Sequence, residues 1–257
     1  MGHYNRHYAG DRHALHGAWS PPNSAANFCE EDYDISYYVA EFINSLTNLA
    51  YVFLALRFMY GPGSRGLFAP KYDFMSISLL VLGICSFLFH ASMRQALQFA
   101  DELAMLGLVW SFLHGTLAVG NSPTKTRFIN TGLAIFFPLF AAFYVWNGQI
   151  IYHAMVFLAL CILTVLRCFY LFWFLKPGFP EAKRVEWRAQ GWKALFSALL
   201  GYLLWHIDLE YCAQLRELRG QIGLPWAWLL EFHGWWHILT AIGASMLMDI
   251  IRELQAE

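Results

Sequence analysis

The sequence predicts an all-α integral membrane protein, a seven-transmembrane-helix bundle. Three observations carry that expectation. The 257 residues are 58% hydrophobic and 18% aromatic but only 14% charged, with mean hydropathy +0.41, which is too apolar for an ordinary soluble domain. Apolar runs long enough to cross a bilayer recur along the chain. The few ionisable groups in or beside those runs are mainly histidines and carboxylates, which lipid disfavours unless they have partners or a function.

Taken in order, residues 1–35 form a polar N-terminal arm, with Pro21-Pro22 followed by the acidic run Cys29-Glu30-Glu31-Asp32-Tyr33-Asp34. By itself such a run reads as a solvated tail. Met1 to Arg6 lacks the apolar core of a signal peptide, so the first membrane segment is expected to direct insertion. Residues 36–252 make up the seven-helix domain. Segment one runs from about Ser36 to Tyr60 and carries Glu41 near its start; Gly61-Pro62-Gly63 ends it. Segment two runs from about Tyr72 to Ser92 and contains His90. Segment three runs from about Leu97 to Val119 with Asp101 and Glu102 in its first turn. No charged residue occurs from Phe128 to Leu166, a run sufficient for two crossings around a turn at Asn147-Gly148. Lys176 to Lys193 is the most basic stretch and is expected to be a loop. Segment six spans about Ala194 to Cys212, a loop follows around Gly220, Gly223 and Pro225, and segment seven runs from about Trp228 to Ile250. Residues 253–257 are expected to be a short tail.

Basic residues outside the spans orient the bundle. With the N-terminus lumenal, the cytosolic side receives Arg65, Lys71, Lys125, Arg127, Lys176, Lys183, Arg184, Arg188, Lys193 and Arg252, and the lumenal side only Arg6, Arg12, Arg94, Arg216 and Arg219. The C-terminus is then cytosolic. The oxidising lumen this topology calls for is that of the endoplasmic reticulum or Golgi, and Gln255-Ala256-Glu257 carries no retention signal that would choose between them. Net charge is -1, so nucleic acid is not an expected partner.

The same topology gathers the unusual residues at one depth. His90 closes segment two, Asp101 opens segment three, and Phe232-His233-Gly234-Trp235-Trp236-His237 opens segment seven. His233 and His237 lie four residues apart, so a helix puts both on one face where imidazoles can share a metal. The stretch lacks the glutamate of His-Glu-x-x-His, which excludes that zinc-protease helix. Three histidines on two segments match the ligand set of an open catalytic zinc site. Asp101, eleven residues past His90, is the candidate base, against the alternative of a carboxylate stabilised by the helix dipole. Ser86, one turn before His90, can donate to an oxyanion, against simple bonding to its own backbone. Glu30, Asp32 and Glu41, with the side-chain carbonyl of Asn27, offer the hard oxygen ligands calcium prefers. Cys29 and Cys212 share the lumenal side and could bridge the arm to segment six. His206 and Asp208 on segment six are candidates to orient the metal ligands, with His206 open to a core role; His114 and His153 read as structural, and His3, His7, His13 and His16 are assigned nothing.

At these residues the sequence resembles the alkaline ceramidase family, within the ceramidase and adiponectin-receptor superfamily of membrane hydrolases. The resemblance rests on Trp19-Ser20-Pro21 through Tyr33, Tyr38-Val39-Ala40-Glu41-Phe42, Ser86-Phe87-Leu88-Phe89-His90, Asp101-Glu102-Leu103, Trp205-His206-Ile207-Asp208 and Phe232 to His237. It implies a seven-helix fold, zinc on His90, His233 and His237, and catalytic roles for Ser86 and Asp101. It further implies calcium held by residues 27, 28, 30, 32 and 41, Phe28 through its backbone carbonyl, and a Cys29–Cys212 disulfide. Asn27, Phe28 and Asp32 depart from the family's usual aspartate, tryptophan and asparagine, and His206 from its usual asparagine. The implied activity is hydrolysis of ceramide, drawn from the bilayer, to a sphingoid base and a fatty acid. The alternatives are a receptor-type member, against which the lumenal N-terminus argues, another lipid amide or ester hydrolase, and a non-enzymatic seven-helix receptor, which leaves the one-sided cluster without a reason.

Overall fold

The computed structural model describes residues 11–176 and 178–257; Arg6, His3 and His7 lie outside them. All regular structure among the described residues is helical: α1 (Phe42–Thr47), α2 (Leu49–Met59), α3 (Phe74–Ser92), α4 (Gln95–Leu117), α5 (Pro123–Asn147), α6 (Ile150–Trp173), α7 (Glu181–Glu210), α8 (Cys212–Ile222) and α9 (Phe232–Ala256), with a 3-10 turn at Trp226–Leu230. Six helical stretches are long and apolar enough to cross a membrane: Phe42–Met59, and α3, α4, α5, α6 and α9. Outward faces remain apolar, with Leu139 of α5 and Leu158 of α6 exposed, as are Phe196 and Leu199 of α7, as expected where lipid is the solvent.

Local chemistry sets the boundaries. Asp73 caps α3 by accepting from Ser76 N at 2.6 Å while Asp73 N donates to Ser76 Oγ, satisfying two backbone donors reciprocally. Ser122 caps α5, Pro123 fills its first turn, and Gly148 ends it at φ 72°, a left-handed conformation that suits glycine. This is the expected turn at Asn147-Gly148. The core joins α2, α3, α4 and α9 through Tyr51, Ala55, Leu79, Leu82, Leu108, Phe112, Met248 and Ile251, while α5 lies at the periphery with only Phe137, Phe140 and Tyr144 buried.

Several expectations are corrected. The basic stretch is not a loop throughout, because α7 is helical from Glu181 onward and Trp187 packs, fully buried, with Leu171, Phe172, Ile250 and Leu254. The expected loop around Gly220 is helical through Ile222, burying Cys212, Leu215 and Arg219 on one face. Segment one starts at Phe42 rather than Ser36 and breaks at Asn48. Asp101 and Glu102 sit in the second turn of α4, which begins at Gln95, so they lie past the turn in which a helix dipole acts most strongly. Helix α9 continues to Ala256 through most of the expected tail.

The arm is no solvated tail either. Ala26, Phe28, Tyr33 and Ala40 pack against Phe89 and Met93, and the arm's backbone is fastened to the α3–α4 turn by Asn23 N and Ser24 N donating to Met93 O, each at 3.1 Å.

Candidate active site

Three buried histidines converge where α3 ends and α9 begins. His90, His233 and His237 each offer a ring nitrogen, all within 4.8 Å of one another, and they are the sole such grouping of His, Cys, Asp or Glu among the described residues. Helical spacing brings His233 and His237 together with ring centroids 4.6 Å apart, and the α3–α9 packing brings His90 to 5.0 and 4.9 Å from them.

The tautomers follow from the neighbours. His90 Nδ1 lies 2.6 Å from Glu41 Oε2; with Glu41 ionised, its carboxylate only accepts, so the proton is on Nδ1 and Nε2 keeps its lone pair. His237 Nδ1 lies 3.0 Å from Thr47 Oγ1. That hydroxyl is within 2.9 Å of Ile43 O and 3.1 Å of Asn44 O, where its own proton goes, so His237 Nδ1–H donates and Nε2 is again left free. A buried histidine group whose outer nitrogens are held by a carboxylate and a hydroxyl is the arrangement that orients imidazoles onto a divalent metal, so these residues fit a metal ion.

Gly234 permits the close approach of α1 that brings Thr47 there, since a Cβ at 234 would meet Thr47 Cγ2 at 3.1 Å and Ile43 Cγ2 at 3.3 Å.

Ser86 and Asp101 are both buried. The Ser86 hydroxyl is within hydrogen-bonding reach of the Asp101 carboxylate, and Asp101 Oδ1 is buried without a hydrogen bond. A serine from α3 and an aspartate from α4 thus meet one turn from His90, leaving an acceptor oxygen available for a proton.

Around this centre the arm brings in a second set of acids. Glu30 accepts from Ile43 N at 2.6 Å and Asn44 N at 2.8 Å, capping α1. Burial, then the Glu231 and Glu41 carboxylates, push Glu30 well above the usual carboxylate range. Asp32 is pushed up to about 8 by burial, then by Glu41 and Asp11. Asp32 Oδ1 and Glu41 Oε1 are buried without hydrogen-bond partners. Mutually repelling buried carboxylates with unpaired oxygens suit a hard cation, although Glu30, Asp32 and Glu41 do not close into a compact ligand group as the histidines do. The Asn27 side chain accepts from Phe28 N at 2.9 Å, and the Phe28 ring stacks on His233 at 3.9 Å.

Cys29 and Cys212 form a disulfide, their Cα atoms 5.4 Å apart. Asp208 accepts from Cys29 N at 3.3 Å and from Phe232 N at 3.1 Å, tying the arm to the start of α9. His206 packs edge-on against Tyr202 at 4.3 Å, and it is the neighbouring Trp205 whose ring approaches His233, at 6.5 Å.

Sequence reasoning passed over Thr47, Asp11, Glu231 and the arginines of α8. Asp11 Oδ2 accepts from Asp32 N at 2.9 Å while its other oxygen meets Arg216 at 2.6 Å. Arg219 pairs with Glu231 and donates to Cys29 O at 2.9 Å. No linear spacing signals these contacts, which join residues far apart in the chain.

Comparison with known proteins places nearly the whole chain beside one group of enzymes. Mouse (Mus musculus) alkaline ceramidase 3 is 28% identical over 231 residues, covering 90% of this chain and 83% of that protein. Alkaline ceramidase YPC1 of Saccharomyces cerevisiae is 28% identical over 252 residues, with coverage of 93% and 79%, and an alkaline ceramidase of Arabidopsis thaliana is 25% identical over 228 residues, with 88% and 82%. The Ceramidase family model matches residues 20–257. With Ser86, His90, Asp101, His233 and His237 all inside that match, the chain belongs to the ceramidase family.

Proposed function

We propose that this protein is a zinc-dependent ceramide amidohydrolase, cleaving the N-acyl bond of ceramide to a sphingoid base and a fatty acid, in a seven-helix bundle whose seventh span is the apolar part of α7. The observation that carries the reading is the buried histidine group with its Nδ1 atoms already engaged at His90 and His237, in a chain of this family. His90, His233 and His237 would hold zinc, which when bound polarises a carbonyl and makes water acidic near neutral pH.

The chain's own residues do the rest. Asp101 accepts a proton from the attacking water through its unpaired oxygen as the water oxygen bonds to the acyl carbon. As Asp101 takes up that proton, the Ser86 hydroxyl turns from it to donate a hydrogen bond to the carbonyl oxygen, which is gaining negative charge. The C–N bond then breaks, Asp101 returns the proton to the departing nitrogen, and the products are an amine and a carboxylic acid. Glu41 and Thr47 keep two imidazoles from rotating. The apolar outer surface suits a two-chain substrate arriving from the bilayer.

Calcium belongs to the same reading, at Asn27, the Phe28 carbonyl, Glu30, Asp32 and Glu41, supported by the unpaired buried oxygens of Asp32 and Glu41. The lumenal N-terminus, the cytosolic C-terminus and residence in the endoplasmic reticulum or Golgi also belong to it, supported by the basic-residue bias.

The test is fatty-acid release from ceramides by the purified protein in detergent, with Asp101→Asn as the variant. Turnover should fall by about 10²–10⁴-fold while zinc remains near one per chain. An Asp101→Asn protein with undiminished turnover removes Asp101 from the reaction, and a parent protein that retains no zinc and releases no fatty acid overturns the reading.

A further inference from the structure

Next to Asp101 the fold buries a second carboxylate, Glu102, for which the reaction above has no use. Successive helical residues point about 100° apart. While Asp101 meets Ser86 of α3, Glu102 turns to the other side of α4, toward α5 and α6. Both of its carboxylate oxygens are engaged there: Oε1 accepts from Gln98 Nε2 at 2.9 Å and Oε2 from the Tyr144 hydroxyl of α5 at 2.5 Å. His153 of α6 donates through Nε2 to the Glu102 carbonyl at 2.8 Å. Gln98 in turn accepts on Oε1 from Ala25 N at 2.8 Å and Ala26 N at 3.1 Å.

One residue therefore joins four elements: the arm through Gln98, its own helix α4, α5 through Tyr144 and α6 through His153. A buried carboxylate among membrane helices is costly, and such groups mark function more often than packing. An aliphatic side chain would join α4 to α5 at lower cost. It would not fix the rotation of α4, because dispersion contacts are non-directional whereas two carboxylate hydrogen bonds and a carbonyl bond set an angle. Fixing that rotation fixes where the adjoining Asp101 carboxylate points.

We propose that Glu102 is a positioning residue for Asp101, its hydrogen bonds with Gln98 and Tyr144 setting the rotation of α4 that aims the base at the reacting water. This rests on the amidase reading, with Asp101 as its base. Tyr144→Phe removes one hydroxyl and little volume. Glu102→Gln keeps the shape but can accept on only one of the two oxygens. Misplacing a catalytic group by a fraction of an ångström to 1 Å lowers the rate up to about 100-fold.

The experiment measures kcat, KM, zinc content and thermal stability for Tyr144→Phe, Glu102→Gln and the double variant, beside Asp101→Asn. The expected result is kcat lowered about 10- to 100-fold in each single variant, with KM within about threefold of the parent, zinc near one per chain, and a double variant no worse than the poorer single one. Melting that falls while kcat stays within twofold would make Glu102 a helix anchor and overturn the proposal. So would loss of zinc or of the folded protein in both single variants, since the network would then hold the whole site rather than aim Asp101. If Asp101→Asn itself turns over normally, the amidase reading fails first; if it is inactive while both Glu102 and Tyr144 variants keep kcat, only this proposal fails.

Discussion

At the end of the bundle where α3 finishes and α9 begins, Glu30, Asp32, Glu41, His90, Asp101, Glu102, Asp208, Glu231, His233 and His237 are all buried. At the opposite end the charges stay near solvent and pair with one another: Lys183 with Glu253, Arg184 and Arg188 with Glu181, Arg252 with Asp73 and Asp249. The two ends hold their ionisable groups at very different cost. An exposed pair is worth about 0–1 kcal/mol, whereas desolvating a charge costs several kcal/mol unless hydrogen bonds or a metal compensate it. The end that bears this cost is the end to which the proposed chemistry belongs, and the contrast can be broken or sharpened one residue at a time.

The largest effect belongs to the histidines. His237→Ala should take the zinc content from near one per chain to near zero and with it fatty-acid release, because two imidazoles cannot complete the ligand set. Metal analysis and a turnover assay check this; a His237→Ala protein that keeps both would return the His233 and His237 pair to ordinary packing. Glu41→Gln comes next. It leaves all three ligands in place but replaces the carboxylate 2.6 Å from His90 Nδ1, and loss of such a partner weakens metal affinity about 10- to 100-fold. Competition with a chelator would measure it, and unaltered zinc retention would separate Glu41 from the metal.

The disulfide tests how firmly the arm is held. Cys29→Ser opens a bridge spanning 183 positions, and losing a native disulfide costs about 2–5 kcal/mol. Cys29 O would still accept from Arg216 and Arg219, so the loss should lie at the lower end, read as a fall in melting temperature. A matching fall on reducing the parent protein would attribute it to the bridge rather than to the serine.

What was legible in the sequence follows from the same contrast. His233 and His237 could be paired because four-residue spacing has one meaning on a helix, and His90 and Asp101 could be added because an ionisable group inside an apolar run stands out. The turn at Asn147-Gly148 was legible for a similar reason, a glycine between two long uncharged runs. The basic stretch that opens α7 misled because its charges were weighed along the line; the buried Trp187 and Ala194, seven residues apart on one helical face, carry the signal instead. Helix α8 hid in the same way, its buried Cys212, Leu215 and Arg219 following helical periodicity within a polar segment. Thr47, Asp11 and Glu231 were illegible because their roles arise only where the arm, α1, α8 and α9 meet.

The smallest predicted effect lies at the far end and gives the comparison its control. Asp73 caps α3 and meets Arg252 Nε at 2.7 Å, while its side chain stays 30% exposed. Burial alone would raise its pKa, but the Arg252 guanidinium and the Ser76 N–H outweigh burial and hold it below the ordinary 3.8. A carboxylate lowered on folding stabilises the fold at pH values above its unfolded pKa, and the contribution fades as pH falls below about 4 and through the folded value. Asp73→Ala should therefore cost about 1–2 kcal/mol at neutral pH, mostly the helix cap with a small ion-pair share. The difference from the parent should shrink as the solution is acidified through that range. Turnover and zinc content should stay within twofold of the parent, because none of the buried groups at the other end touches Asp73. A Asp73→Ala protein that lost zinc would show that the two ends are coupled along α3, and the division of the molecule into a costly end and an inexpensive one would fail.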